Sequence, residues 1–97
     1  MAHYIMLANF TEQGLRGIKE TTKRADAFKE LAKSQGVTVK DMFWTLGAYD
    51  LVAITESPDE TTTMALAATL GKAGNVRFQT LRAFTQAEVG KILAKVQ

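Results

Sequence analysis

The 97-residue chain contains no cysteine. That absence excludes disulfides and thiolate metal sites, and it fits a cytoplasmic protein. There is one histidine, His3, near the N-terminus. With no second imidazole and no thiolate to join it, neither a metal centre nor a haem is expected, and no cofactor is implied. No apolar run approaches the roughly 20 residues needed to cross a bilayer, so no membrane association is expected. The N-terminus lacks a basic region followed by an apolar stretch and a small-residue cleavage site, so no secretion signal is read there. An excess of one charge is missing too: 12 basic residues stand against 10 acidic ones, a net charge of +2. Binding to a phosphate backbone asks for a clustered excess, so nucleic acid is not an expected partner. Repeats, low-complexity tracts and linkers are also absent.

What is present is an ordinary globular composition, 46% hydrophobic and 23% charged, in one domain spanning residues 1–97. Four segments have strand character: Tyr4 to Phe10, Val37 to Leu46, Leu51 to Glu56 and Val76 to Phe84. Thr11 to Glu20 reads as a short, weak helix interrupted by Gly14 and Gly17. Thr22 to Gln35 reads as the first full helix, with Ala25, Phe28, Leu31 and Ala32 on one side and Gly36 as its left-handed terminator. Glu20 with Arg24, Asp26 with Lys29 and Glu30 with Lys33 are spaced to pair on the wet face. A second helix over about 59–73 opens at Ser57-Pro58-Asp59-Glu60, with Ser57 expected as cap and Glu60 completing a capping box. It is expected to end near Gly71 or Gly74. Thr85 and Glu88 make a second capping box, ahead of the apolar stripe Val89, Ile92, Leu93 and Val96.

The order is β-α-β-β-α-β plus a C-terminal helix, the split βαβ arrangement of ferredoxin-like α+β folds. The expected sheet has four antiparallel strands in the order 4-1-3-2, with helices on one face. Composition supports central positions for strands one and three. Ile5 and Leu7 on one parity, and Tyr4, Met6, Ala8 and Phe10 on the other, make strand one apolar on both faces; Leu51-Val52-Ala53-Ile54 repeats the pattern. Helices cover one face only, so the second needs another cover. A second copy packing sheet against sheet supplies it, and a homodimer or an assembly of dimers is expected.

Three stretches resemble the GYD domain family: "YIMLANFTEQGLRGIK", "WTLGAYDLVAITESPDE" and "GNVRFQTLRAFTQAE", which together span nearly the whole chain. The family's name-giving residues are matched by Gly47, Tyr49 and Asp50, with Ala48 interposed. The resemblance implies a ferredoxin-like, dimeric α+β-barrel protein. It implies no activity, the family being one of uncharacterised function.

The chemistry of the Gly47 to Asp50 turn admits two readings. In the architectural one, Gly47 supplies a positive φ, the Asp50 carboxylate accepts turn amides and Tyr49 wedges the sheet end. In the functional one, Tyr49 and Asp50 line a cleft between sheet and helices. Asp50 is then a candidate general base and Tyr49 an oxyanion stabiliser, with Trp44, Asn9, Thr80 and Arg82 as candidate ligand-binding companions. "GLRGIK" lacks the spacing of a P-loop. Strand three, "LVAITE", lacks the stacking aromatics of an RNA-recognition sheet. A small-molecule binding or sensing module is the leading functional expectation. The alternatives are a cofactor-independent enzyme of monooxygenase or isomerase type, or a purely structural or interaction protein.

Overall fold

Strands one and three owe their central place to being apolar on both sides. A computed structural model of the chain describes residues 1–97. β1 is Ala2–Phe10, followed by a short helix α1, Glu12–Arg16, and one 3₁₀ turn, Ile18–Glu20. Then come α2 (Thr21–Ser34), β2 (Thr38–Trp44), β3 (Leu51–Ser57), α3 (Glu60–Ala73), β4 (Val76–Ala83) and α4 (Gln86–Leu93). The four strands form one antiparallel sheet in the order β2-β3-β1-β4, which is the expected order read from the other edge. Met6 stands between Ala53 on β3 and Thr80 on β4.

The period-two alternation of a strand sends Tyr4, Met6 and Ala8 toward the helices, where all three are buried. On β3, Leu51, Ala53, Thr55 and Ser57 do the same. α2 and α3 both lie on this face. Ala32, Val37 and Leu66 form its fully buried centre, with Phe28, Leu31, Val39 and Leu70 packed around them. Leu66 is 1% exposed, a burial worth about 1.5–3 kcal/mol. The opposite face carries Ile5, Leu7, Val52 and Ile54, each only partly buried. Phe43 and Leu81 on that face are 53% and 37% exposed.

Several local expectations are met. Gly36 closes α2 with φ +86°. The capping box is present at α4: the Thr85 hydroxyl accepts from the Glu88 amide, and the Glu88 carboxylate accepts from the Thr85 amide. α3 ends at Gly74, the later of the two glycines considered.

Others are corrected. The cap of α3 is Asp59, whose carboxylate accepts from the Thr62 amide at 2.8 Å. Ser57 cannot serve, because it is the last residue of β3, fully buried opposite Ala2, and its hydroxyl donates to the Asp59 carbonyl. β2 stops at Trp44 rather than Leu46, since the Thr45 amide already turns to donate to the Asp50 carbonyl at 2.9 Å. None of the three expected pairs on α2 forms. Glu20 pairs with Lys23 at 3.2 Å, while Arg24 reaches inward to donate to the Gly14 carbonyl at 2.9 Å. In keeping with the expectation that helices cover one sheet face only, α4 gives the sheet little cover, for Val89, Ile92, Leu93 and Val96 all remain exposed.

Gly14 explains how α1 docks. A Cβ built there would lie 2.1 Å from the Asn75 carbonyl oxygen, so only a residue without one allows the approach. The Thr11 amide donates to that same carbonyl at 3.1 Å, and the Thr11 hydroxyl donates to the Gly74 carbonyl at 2.6 Å. The start of α1 is thereby sewn to the turn before β4.

Candidate functional site

Between the sheet and helices α2 and α3 lies a cavity of about 260 Å³ lined by 17 residues, 14 of them hydrophobic. Its floor includes Met6, Ala8, Ala53 and Phe78; its roof includes Phe28 and Leu31 from α2 and Leu70 from α3. Alanines make the room. Ala8 and Ala53 on the sheet and Ala25 on α2 stand where longer side chains would interdigitate. The remaining lining residues, Thr21, Arg24 and Asn75, are polar. Thr21 and Arg24 lie on the first turn of α2, three residues apart and so on one side of it. Asn75 precedes β4. The Thr21 hydroxyl accepts from the Trp44 indole N–H at 3.1 Å, and the Asn75 side-chain oxygen accepts from Gln13 at 3.1 Å.

The six residues singled out from the sequence fall outside this lining, at separate places. Asp50 is half-buried; its Oδ2 accepts from the Phe10 amide at 3.0 Å, while its own amide donates to the Ala8 carbonyl at 2.9 Å. It thus fastens the β2–β3 turn to the end of β1. Gly47 in that turn has φ +112°, a region that disfavours residues with a Cβ. The Tyr49 phenol donates to the Gln79 side chain at 3.3 Å, on the sheet face away from the helices. Asn9 shares that face, paired in register with Arg77. Trp44 touches the cavity rim through Thr21.

Thr80 and Arg82 do face the helix side, but toward the far end of β4. There the Arg82 guanidinium lies 4.4 Å from the Phe84 ring centroid and 5.6 Å from that of Tyr4. It also lies 3.7 Å from the Glu88 carboxylate. His3 joins this end of the molecule, with Nε2 3.1 Å from Glu56 and Nδ1 3.6 Å from Glu88. Hydrogen bonding from the Thr85 amide holds the Glu88 carboxyl below its ordinary pKa; burial opposes it, and the Thr85 side chain and the charges of Arg82 and His3 add smaller lowering effects. The cluster anchors α4 to the end of the sheet where β1 begins and β3 finishes. No group of three or more His, Cys, Asp or Glu side chains is arranged to hold a metal ion. No helix is long and apolar enough to cross a membrane.

Sequence reasoning thus missed Thr21, Arg24 and Asn75. The spacing of Glu20 to Arg24 suggested a surface pair, and a periodicity argument assigns such a residue to solvent. A signal was available in the clean apolar side of α2, since Thr21 and Arg24 flank Ala25 and Phe28 at its N-terminal end.

The fold defines a small α+β domain with one helix-covered sheet face, an apolar cavity beneath the helices and no cluster of acid–base residues within that cavity. Residues 4–93 match the GYD domain family, and the chain belongs to it. Among curated proteins it is similar to the "Glutamine synthetase and cystathionine beta-lyase binding protein" of Thermus thermophilus. The two are 29% identical over 90 residues, covering 92% of this chain and 95% of that one.

Proposed function

We propose that the protein is a binding module that holds a small molecule in the cavity between sheet and helices and works as a homodimer. The cavity carries this reading. Native interiors are close-packed with few voids larger than a water molecule, and an apolar cavity of about 150 Å³ is enough to take benzene. A half-open space of about 260 Å³ walled largely by hydrophobic side chains is therefore large enough to take a small apolar molecule. The lining also favours binding over acid–base chemistry. No carboxylate, imidazole, thiol, phenol or amine lines the space, and Arg24 supplies its only charge. The enzyme alternative would require Asp50 or Tyr49 to reach this space, and both are engaged elsewhere, with Phe10 and Gln79.

The element order and the central β3 and β1 support a ferredoxin-like architecture. The uncovered sheet face supports pairing of two copies, sheet against sheet, as in a dimeric α+β barrel. Ile5, Leu7, Val52 and Ile54 with the exposed Phe43 and Leu81 make an apolar surface of a kind uncommon on monomers.

A second reading, a module that binds another protein, is favoured by the name of the Thermus relative as a binding protein for two enzymes. The exposed stripe of α4 would give such a partner an apolar contact. Native mass spectrometry of protein purified from its own host separates the two. A dimer carrying a retained small molecule is the expected result. A bare monomer overturns the proposal, and a complex with a second protein transfers it to the partner-binding reading.

A further inference from the structure

We infer that the cavity takes an amphipathic monocarboxylate, an alkyl or aryl body with one carboxylate head, and that Arg24 holds the head. This rests on the cavity being the ligand site. The body follows from the walls, which offer hydrophobic contact almost throughout and so reward an apolar occupant. The head follows from what the polar lining leaves unsatisfied.

Arg24 is half-buried and has no carboxylate within 4.0 Å. Of the acids near it in sequence, Glu20 is committed to Lys23, while Asp26 and Glu30 are exposed and lie beyond 4.0 Å of it. One hydrogen bond, to the Gly14 carbonyl, uses one of the five donors a guanidinium presents. A half-buried cation without a counter-charge is costly, and an anionic ligand relieves that cost. Thr21 and Asn75 point the same way. The Thr21 oxygen accepts from Trp44, which leaves its own O–H to donate. The Asn75 oxygen accepts from Gln13, which fixes the amide orientation and leaves its NH₂ to donate.

All three polar lining residues therefore have donors to spare, and the head that suits them is one that only accepts. Gly14 accepts the Arg24 bond at its carbonyl and packs through its missing Cβ on the Asn75 backbone carbonyl, which brings the guanidinium near the segment that carries Asn75. Thr21 lies one helical turn before Arg24 on α2. A single guanidinium balances a single negative charge, and its planar fork matches a carboxylate with two parallel hydrogen bonds.

Octanoate, octanol and octylamine share one tail and differ in the head, which makes them the probes. Binding is followed by the fluorescence of Trp44, the lone tryptophan, whose indole is bonded to Thr21 at the rim, and by calorimetry. Wild type should bind octanoate about tenfold more tightly than octanol or better, a difference of about 1.4 kcal/mol, and protonated octylamine more weakly than either. In Arg24→Gln, with its fold checked by circular dichroism, octanoate should fall to the affinity of octanol while octanol itself is unchanged. Equal affinities in wild type, or a carboxylate preference that survives Arg24→Gln, overturns the head-group assignment and leaves the cavity reading standing. If none of the probes binds, the cavity reading falls with it. Should Arg24→Gln not fold, the wild-type ranking of the three heads decides alone.

Discussion

The Asp50 carboxylate and the Phe10 amide meet at 3.0 Å across 40 positions of sequence. The bond joins the turn between β2 and β3 to the last residue of β1, and a second bond, from the Asp50 amide to the Ala8 carbonyl, runs beside it. The tyrosine and aspartate of the turn are therefore drawn to different partners: one across the open sheet face to Gln79, the other to a strand end.

Asp50→Asn keeps an oxygen for Phe10 and should cost about 1 kcal/mol or less, whereas Asp50→Ala leaves that amide without its partner and should cost about 1–3 kcal/mol. Urea melts of both variants measure the difference. Octanoate affinity per folded molecule should be the same in each, and a tenfold loss in Asp50→Asn would restore this residue to the site.

Gly47→Val should destabilise by about 1–3 kcal/mol through backbone strain alone. An added Cβ meets nothing within 4 Å, so φ +112° is the whole cause. Gly47→Asn, which tolerates positive φ better, should recover part of the loss. Equal melting points for all three proteins would contradict this.

Gly14→Ala acts through contact instead. Its Cβ would fall 2.1 Å from the Asn75 carbonyl oxygen, and because that atom is backbone, the α1 segment must move away. We expect a loss of about 1–3 kcal/mol, together with faster amide exchange over residues 11–17.

Acid should loosen α4. Folding holds the Glu88 carboxyl below its ordinary value of 4.5, first through the Thr85 amide. The stability this supplies is present above that value and disappears as pH falls through the lower folded-state value. Protection of the α4 amides, taken relative to intrinsic exchange at each pH, should therefore fall on acidification below about pH 4.5, while Glu88→Gln should show reduced protection at neutral pH and little further change.

Local rules made much of the architecture legible. Alternation set the strands, the double-sided apolar pattern of β1 and β3 put them in the middle, and Thr85 with Glu88 announced the start of α4. Gly36 and Gly47 were readable as left-handed positions because the need for positive φ is a property of a few neighbouring residues. Tertiary structure decided the rest. Ser57 lost the cap to Asp59 because its place opposite Ala2 buries it, which helix rules cannot see. Arg24 left the wet face for the Gly14 carbonyl, and Tyr49 turned away from the helices toward Gln79. The cavity is the clearest case. Its alanines are scattered over β1, α2, β3 and α3, and each is ordinary by itself. The space exists because the fold sets those short side chains opposite one another across two layers, a distance that no local pattern encodes.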